Sequence, residues 1–207
     1  MAMAESPLPF VRLTYSRNRT PRGKRTATPA RRAARYFAFG HGREAAHGGE
    51  QRGRWFGPDG RTHDHEAVLA WIAAQARQHV YTFQALLSVP DGRLQAEDFT
   101  RAMQEGKTID DWRLLSHDDT AYSHAHVLFF RNSRLDKASF AGWQERVRRE
   151  LAALEAASMR AGERRVVAQL STERGHDGVV QQVENMYEAG RMNAADLDRA
   201  DEGLELE

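Results

Sequence analysis

The chain has 207 residues, a formal net charge of +1 and no cysteine. This length fits one domain with tails or a small appendage. The absence of cysteine excludes disulfides, thiolate catalysis and cysteine zinc sites, so any metal must be held by histidine, carboxylate or backbone oxygen. Since no apolar run approaches the ~18 residues of a membrane span and the N-terminus lacks a secretion-signal pattern, we expect a soluble cytoplasmic protein with no membrane contact.

The small net charge conceals a strong asymmetry along the chain. Residues 1–54 contain twelve Arg or Lys and three acidic residues, whereas residues 184–207 contain eight acidic residues and two arginines. A basic N-terminal region is typical of proteins that bind a polyanion, and nucleic acid is the partner that it favours. A solvated, basic arm without a ligand is the alternative.

The first third of the chain predicts one strand, one helix and two basic loops. Residues 1–9 are predicted to be flexible, and the alternating, β-rich run 10–15 predicts a first strand. Polar, basic and glycine-containing segments at 16–29 and 40–62 predict loops. Between them, Pro29 opens a predicted helix, at the position where proline is best tolerated.

The rest of the chain alternates between helical and strand patterns. Helices are predicted at 64–79, 95–106 and 136–157, and strands at 80–89, 112–116 and 125–130. This order predicts an α+β fold with a mainly antiparallel central sheet flanked by helices. We expect a main domain over residues 10–160 and a C-terminal helical region with an acidic tail over 161–207.

Three histidines carry the clearest chemical signal in the sequence. His124 and His126 are two residues apart on a predicted strand, so both side chains should point to the same face. His117 ends the preceding strand, and a hairpin would bring it beside that pair. Three imidazoles on one face predict a site for a divalent metal with open positions for water and substrate.

Two further features bear on the histidine site. Asp118 and Asp119 follow His117 directly, and either could orient a ligand histidine through its second ring nitrogen. A second His-x-His pair, His63 and His65, is interpreted instead as part of a loop or of a helix start. A His-x-His pair arises readily by chance, so the third histidine and the neighbouring acids are what distinguish the first pair.

The histidine pattern resembles a motif of a known enzyme family. His117-x6-His124-x-His126, with Asp119 two residues after the first histidine, is similar to the third motif of conjugative and mobilisation relaxases, which belong to the HUH endonuclease superfamily. Ser88-Val89-Pro90 is similar to the strand end that precedes this motif in the family. The resemblance covers roughly residues 10–155, and Ser123 stands where the family often has proline.

The resemblance implies a specific activity and a set of site residues. It implies a relaxase-like catalytic domain, built on an antiparallel sheet, that nicks and rejoins single-stranded DNA through a covalent tyrosine–DNA intermediate. The implied biological role is plasmid or mobile-element transfer. Tyr36 occupies the place of the nucleophile, and Tyr15 and Tyr122 are the alternative candidates. Asp119 is implied as the general base that assists it. His117, His124 and His126 would hold Mn²⁺ or Mg²⁺. The implied partners are an origin-of-transfer-like DNA site and accessory relaxosome proteins.

Basic and aromatic residues near Tyr36 suggest how DNA would be held. Guanidinium groups next to the nucleophile would contact phosphates, and an aromatic side chain among arginines suits stacking on unpaired bases. The predicted DNA-binding residues are Arg31, Arg32, Arg35, Arg52, Arg54 and Trp55.

Three other functions remain open on the sequence. A replication initiator or transposase of the same superfamily would share the site and differ in the DNA recognised. A non-catalytic nucleic-acid binding protein would bind DNA without metal and without Tyr36. A metal-dependent hydrolase would use the three histidines to activate water and would form no covalent intermediate.

Overall fold

The computed structural model describes residues 8–40, 50–90, 93–117 and 122–173. Asp118, Asp119 and the acidic tail lie outside these residues, as do 1–7 of the predicted flexible N-terminus. The strands are β1 (Phe10–Arg17), β2 (Trp55–Phe56), β3 (Thr62–His63), β4 (Tyr81–Ser88), β5 (Trp112–His117) and β6 (His124–Arg131). The helices are α1 (Thr28–Phe39), α2 (His65–Gln78), α3 (Ala96–Glu105) and α4 (Lys137–Glu173).

The six strands form one sheet in the order β1-β4-β6-β5-β2-β3. Every neighbouring pair is antiparallel. The predicted α+β class with a mainly antiparallel sheet is therefore confirmed. The apolar strand β6 lies between β4 and β5, in the interior of the sheet.

Helices pack on both faces of the sheet and enclose two separate hydrophobic clusters. On one face, α3 and α4 pack their side chains against β4, β5 and β6, with Trp143, Val147 and Leu151 of α4 fully buried. On the other face, α1 and α2 pack against Trp55, Leu115 and side chains of β6. Alternation along each strand separates the two clusters, since successive side chains point to opposite faces.

Local sequence explains why α1 and α2 form and which sides they bury. The buried side of α1 carries four alanines and Phe37 at helical spacing, and the alanines allow a close approach to the sheet. In α2, the Asp64 side chain accepts a hydrogen bond of 2.6 Å from the Ala67 amide at the helix N-terminus. Of the two histidines interpreted as part of a loop or of a helix start, His65 is the first residue of α2, whereas His63 lies in the short strand β3.

The prediction of a loop over 40–62 is wrong at residues 55–56, which form a strand. Trp55 and Phe56 form β2, which pairs with β5 and with β3, and both side chains are buried. A strand of two residues is too short to produce a periodic pattern in the sequence. Only the pairing with β5 identifies it.

The chain divides into two compact units, Met1–Leu154 and Glu155–Glu207. The first contains the whole sheet. In the second, the structure describes helical residues 155–173, which belong to α4. Among the described residues, no helix has the length and apolar character needed to cross a membrane.

Candidate metal centre

Strand register brings the three predicted histidines to one place. His117 ends β5 and His124 begins β6, and the two lie directly opposite each other in the antiparallel pair. His126 is two residues further along β6, opposite Leu115. Since Leu115 and the β6 residue Leu128 belong to the cluster under α1 and α2, period-two alternation places all three imidazoles on the face that carries α1.

The three imidazoles form a nearly equilateral triangle. Their ring centroids are 5.1 Å apart for His117 and His124, 5.3 Å for His117 and His126, and 5.4 Å for His124 and His126. One ligand nitrogen from each ring can be chosen so that all lie within 4.8 Å of one another. Metal–nitrogen bonds of about 2.1 Å place ligand nitrogens roughly 3–4 Å apart, a spacing comparable with that of the three rings.

A backbone contact favours one tautomer of His124, a candidate metal ligand. The His124 Nδ1 atom lies 3.1 Å from the carbonyl oxygen of Tyr122. A carbonyl only accepts hydrogen bonds, so this contact favours the tautomer that carries its proton on Nδ1 and coordinates through Nε2. An outer hydrogen bond of this kind orients histidine ligands in metal sites and raises their basicity. The contact therefore prepares His124 to coordinate through Nε2.

Helix α1 places two aromatic residues against the same histidine. The Phe37 ring stacks on the His126 ring, with centroids 4.1 Å apart and an interplanar angle of 11°. The Tyr36 ring lies 6.2 Å from the His126 ring, and 40% of Tyr36 is exposed. The residue predicted as nucleophile is thus both accessible and adjacent to the histidine cluster.

The structure separates Tyr36 from two other tyrosines. Tyr15 pairs with Phe83 in the β1–β4 register and contacts Tyr81 and Phe83, which belong with the cluster under α3 and α4. Tyr15 and Tyr81 therefore lie on the opposite face of the sheet from the histidines. Tyr122, which is 58% exposed and precedes β6, remains near the site.

The predicted DNA-binding arginines are placed in different settings. Arg31, Arg32 and Arg35 are all exposed on α1, and Arg54 is exposed beside β2. Arg52 instead donates to the carbonyl oxygens of Tyr36 and Phe37, at 3.1 and 3.4 Å. Its guanidinium therefore satisfies carbonyls in the last turn of α1, next to the accessible tyrosine.

The prediction that Trp55 stacks on DNA bases is wrong. Trp55 is fully buried, and its indole Nε1 donates to His65 Nδ1 over 3.3 Å. Burial lowers the pKa of His65, and the nearby charge of Arg35 lowers it further, against the opposing effects of Glu66 and Asp64. His65 is therefore favoured as a neutral acceptor for the buried tryptophan.

A cavity of about 430 Å³ opens beside His117. It is lined by Glu50, Gln51, Arg52, Gly53, Leu94, Gln95, Ser116 and His117. Gly53 has φ +123°, and a Cβ atom there would lie 2.7 Å from the Ser116 carbonyl oxygen. This close approach of the chain to the end of β5 shapes the wall of the cavity next to His117.

Sequence reasoning missed two contributors to this centre. Phe37 lies on the apolar face of α1 with Ala33 and Ala34, so helical spacing predicts its burial. The same spacing does not predict that its ring stacks on His126. The carbonyl of Tyr122 carries no side-chain signal at all. Asp119, the predicted helper base, lies outside the described residues.

The chain was compared with family models, with curated proteins and with solved structures, and none of the three comparisons finds a match.

Proposed function

We propose that this chain is a metal-dependent enzyme that nicks and rejoins single-stranded DNA through a covalent tyrosine intermediate, as relaxases do. One observation carries the proposal: an accessible tyrosine, Tyr36, lies against His126 in a triangle of three histidines. The exposed arginines on the same helix support a polyanionic substrate.

The donor set fits a divalent metal ion. Three imidazoles on adjacent strands leave coordination positions open, and the contact of His124 Nδ1 with the Tyr122 carbonyl favours Nε2 as the coordinating atom. His117, His124 and His126 would hold Mn²⁺ or Mg²⁺, with imidazole donors favouring Mn²⁺ of the two. When bound, such an ion supplies electrostatic stabilisation to the phosphate at the point of cleavage.

The tyrosine supplies the nucleophile for strand cleavage. The Tyr36 phenol loses its proton to a base, and Asp119 is the residue that the resemblance suggests. The Tyr36 oxygen attacks phosphorus, the bond from phosphorus to the 3′-oxygen breaks, and that oxygen gains a proton. The product is a 5′-phosphotyrosine and a free 3′-hydroxyl. Reversal of the step reseals the strand without a separate energy source, since the covalent link conserves the phosphoester.

The arrangement around Tyr36 restricts its motion. Phe37 anchors the end of α1 on His126, while Arg52 binds carbonyls of the same turn. Packing and hydrogen bonding from both sides hold the helix end relative to the histidines. Positioning of this kind contributes strongly to the rate of a displacement reaction, because the attacking atom must approach in line.

The test is the search for a covalent adduct with a library of single-stranded DNA. The full-length chain is incubated with Mn²⁺ and a radiolabelled oligonucleotide pool carrying a randomised segment, and denaturing electrophoresis separates protein-linked label. We expect a denaturation-resistant adduct whose mass locates DNA on Tyr36. Tyr36→Phe and His126→Ala should lose it, whereas Tyr122→Phe and Tyr15→Phe should keep it.

Other outcomes separate the remaining functions. Cleavage that persists in Tyr36→Phe without any adduct would support a hydrolase that activates water at the three histidines. Binding of the pool without cleavage, unaffected by His126→Ala, would support a non-catalytic DNA-binding protein. An adduct on Tyr122 would keep the reaction type and overturn the assignment of Tyr36.

A further inference from the structure

The sheet continues past the histidine cluster as an exposed face on β4 and β1. Strand register places Phe10 and Ser88 in one row with His124, and Arg12 and Leu86 in the next row with His126. Because side chains alternate along each strand, the residues of both rows project from the histidine face of the sheet.

This part of the sheet is not covered by the helices of the same face. Among the described residues, the buried cluster under α1 and α2 takes side chains from β2, β5 and β6 and none from β1 or β4. Phe10 is 49% exposed, Arg12 is exposed, and Ser88 and Leu86 are only partly buried. On the opposite face, Val11 and Leu87 are buried at 2% and 0%.

The exposed row is close enough to the cluster to hold part of the same ligand. Neighbouring strands are about 4.8 Å apart, so Phe10 on β1 lies roughly 10 Å from His124 on β6, two strands away. A nucleotide beside one held at the histidines falls within that reach. A large exposed aromatic next to a guanidinium is the combination that binds unpaired bases and their phosphates.

We propose that Phe10 and Arg12 form a subsite for a nucleotide next to the one cleaved at the histidine cluster. Phe10 stacks on its base, and Arg12 pairs with its phosphate. The inference rests on the proposed function, since it takes the substrate to be an unpaired DNA strand. It assigns roles to two residues on β1 that the relaxase-like motif does not include.

β1 offers matched controls on its other face. Tyr15 is exposed to nearly the same extent as Phe10, at 46% against 49%, but it lies on the face opposite the histidines. Arg17 is exposed, as Arg12 is, and shares the face of Tyr15. If DNA affinity depended only on exposed aromatic surface or on charge, replacing Tyr15 or Arg17 would lower it as much as replacing Phe10 or Arg12. The proposed subsite predicts that only Phe10 and Arg12 matter.

The test measures affinity for a fluorescently labelled, mixed-sequence 20-mer in the Tyr36→Phe background without metal, so that no cleavage contributes. Phe10→Ala should weaken binding by about 5- to 150-fold, the usual effect of losing one stacked base, and Phe10→Trp should preserve it. Arg12→Ala should weaken binding and reduce the salt dependence by about one phosphate contact. Tyr15→Leu and Arg17→Ala should change neither quantity by a comparable amount.

The outcomes distinguish failure of the subsite from failure of the function. Equal affinities for the parent, Phe10→Ala and Arg12→Ala would overturn the subsite and leave the proposed function standing. A parent protein that binds no single-stranded DNA would overturn both. If Phe10→Ala instead changed only the oligomeric state in size-exclusion chromatography, the exposed edge of β1 would be a contact between copies, and the subsite would be wrong.

Discussion

The ring of Phe37 lies flat on the ring of His126, with centroids 4.1 Å apart and planes 11° from parallel. This contact joins α1 to the sheet at the histidine cluster. It restrains the plane of one candidate metal-ligand imidazole, and it places the neighbouring residue, Tyr36, at the edge of the same ring. The stack therefore links the position of the proposed nucleophile, Tyr36, to the orientation of His126.

Replacement of Phe37 by leucine should weaken metal binding. Leucine retains apolar burial but loses the flat ring surface that restrains His126, a contact worth about 0.5–1.5 kcal/mol between aromatic rings. We expect a several-fold higher Kd for Mn²⁺ by calorimetry. Phe39→Leu is the control, because Phe39 lies on the same helix but contacts His65. Equal Kd values for Phe37→Leu and the parent protein would show that the stack does not orient the ligand.

Metal binding should require His117, His124 and His126 and should not require His63. Metal-free protein titrated with Mn²⁺ should bind one ion, and His117→Ala, His124→Ala and His126→Ala should each remove the signal, because two imidazoles hold such an ion much more weakly than three. His63→Ala should bind as the parent does, since His63 lies on β3 outside the cluster. Binding that survives His126→Ala in folded protein would contradict the proposed centre.

Stability should fall in mild acid because of His65. Its pKa in the folded protein is lowered, chiefly by burial, so the unfolded chain takes up a proton more readily. The contribution of neutral His65 to stability is therefore fully present above a pH of about 6.5, the ordinary pKa of histidine. It is lost as the pH falls from there through the lowered pKa of the folded protein. Protonation would also place a hydrogen on Nδ1, the atom that accepts from Trp55.

Urea unfolding at pH 7.5, 6.5 and 5.5 measures this dependence. His65→Gln should show a smaller loss of unfolding free energy between pH 6.5 and 5.5 than the parent, because the variant has no group to protonate at that position. The same slope in both proteins would assign the acid sensitivity to other groups.

Gly53 should tolerate no side chain. Its φ of +123° is strained for any residue with a Cβ, and that atom would lie 2.7 Å from a backbone oxygen of Ser116. We expect Gly53→Ala to lower the free energy of unfolding by about 1–3 kcal/mol, seen as a reduced Tm. Gly60→Ala is the control, with φ +74° but no atom within 4 Å of the place that a Cβ would occupy. Equal losses in both variants would show that backbone strain alone, without the contact to Ser116, sets the cost.

Arg52 and Arg54 should differ in what their loss affects. Arg52 binds carbonyls at the end of α1, so Arg52→Ala should cost about 1 kcal/mol of stability and reduce adduct formation by Tyr36. Arg54 is exposed, so Arg54→Ala should leave Tm unchanged and lower DNA affinity in a salt-dependent way. Thermal melts and binding isotherms at two salt concentrations check both. An Arg52→Ala variant with unchanged Tm and weakened DNA binding would show that Arg52 contacts DNA, as the sequence predicts.

Much of the fold was predictable because its elements are long and periodic. Strand β4, helix α2 and helix α4 all carry apolar residues at regular spacing, and the sequence predicts the start of each within a few residues. The sequence does not predict β2, because two residues carry no period. The prediction for Trp55 is wrong for the same reason: it lies in a segment rich in arginine and glycine, and only the pairing with β5 turns its side chain into the core.

The amino-acid sequence by itself determined which residues could form the metal centre. Histidines two apart on one strand must share a face, and the apolar run after them commits that strand to the interior. Tertiary structure decided what surrounds them. The register of β5 on β6 sets His117 opposite His124, and the packing of α1 brings Phe37 and Tyr36 to His126. These contacts join residues far apart in the chain, and no local pattern specifies which helix covers which end of a sheet.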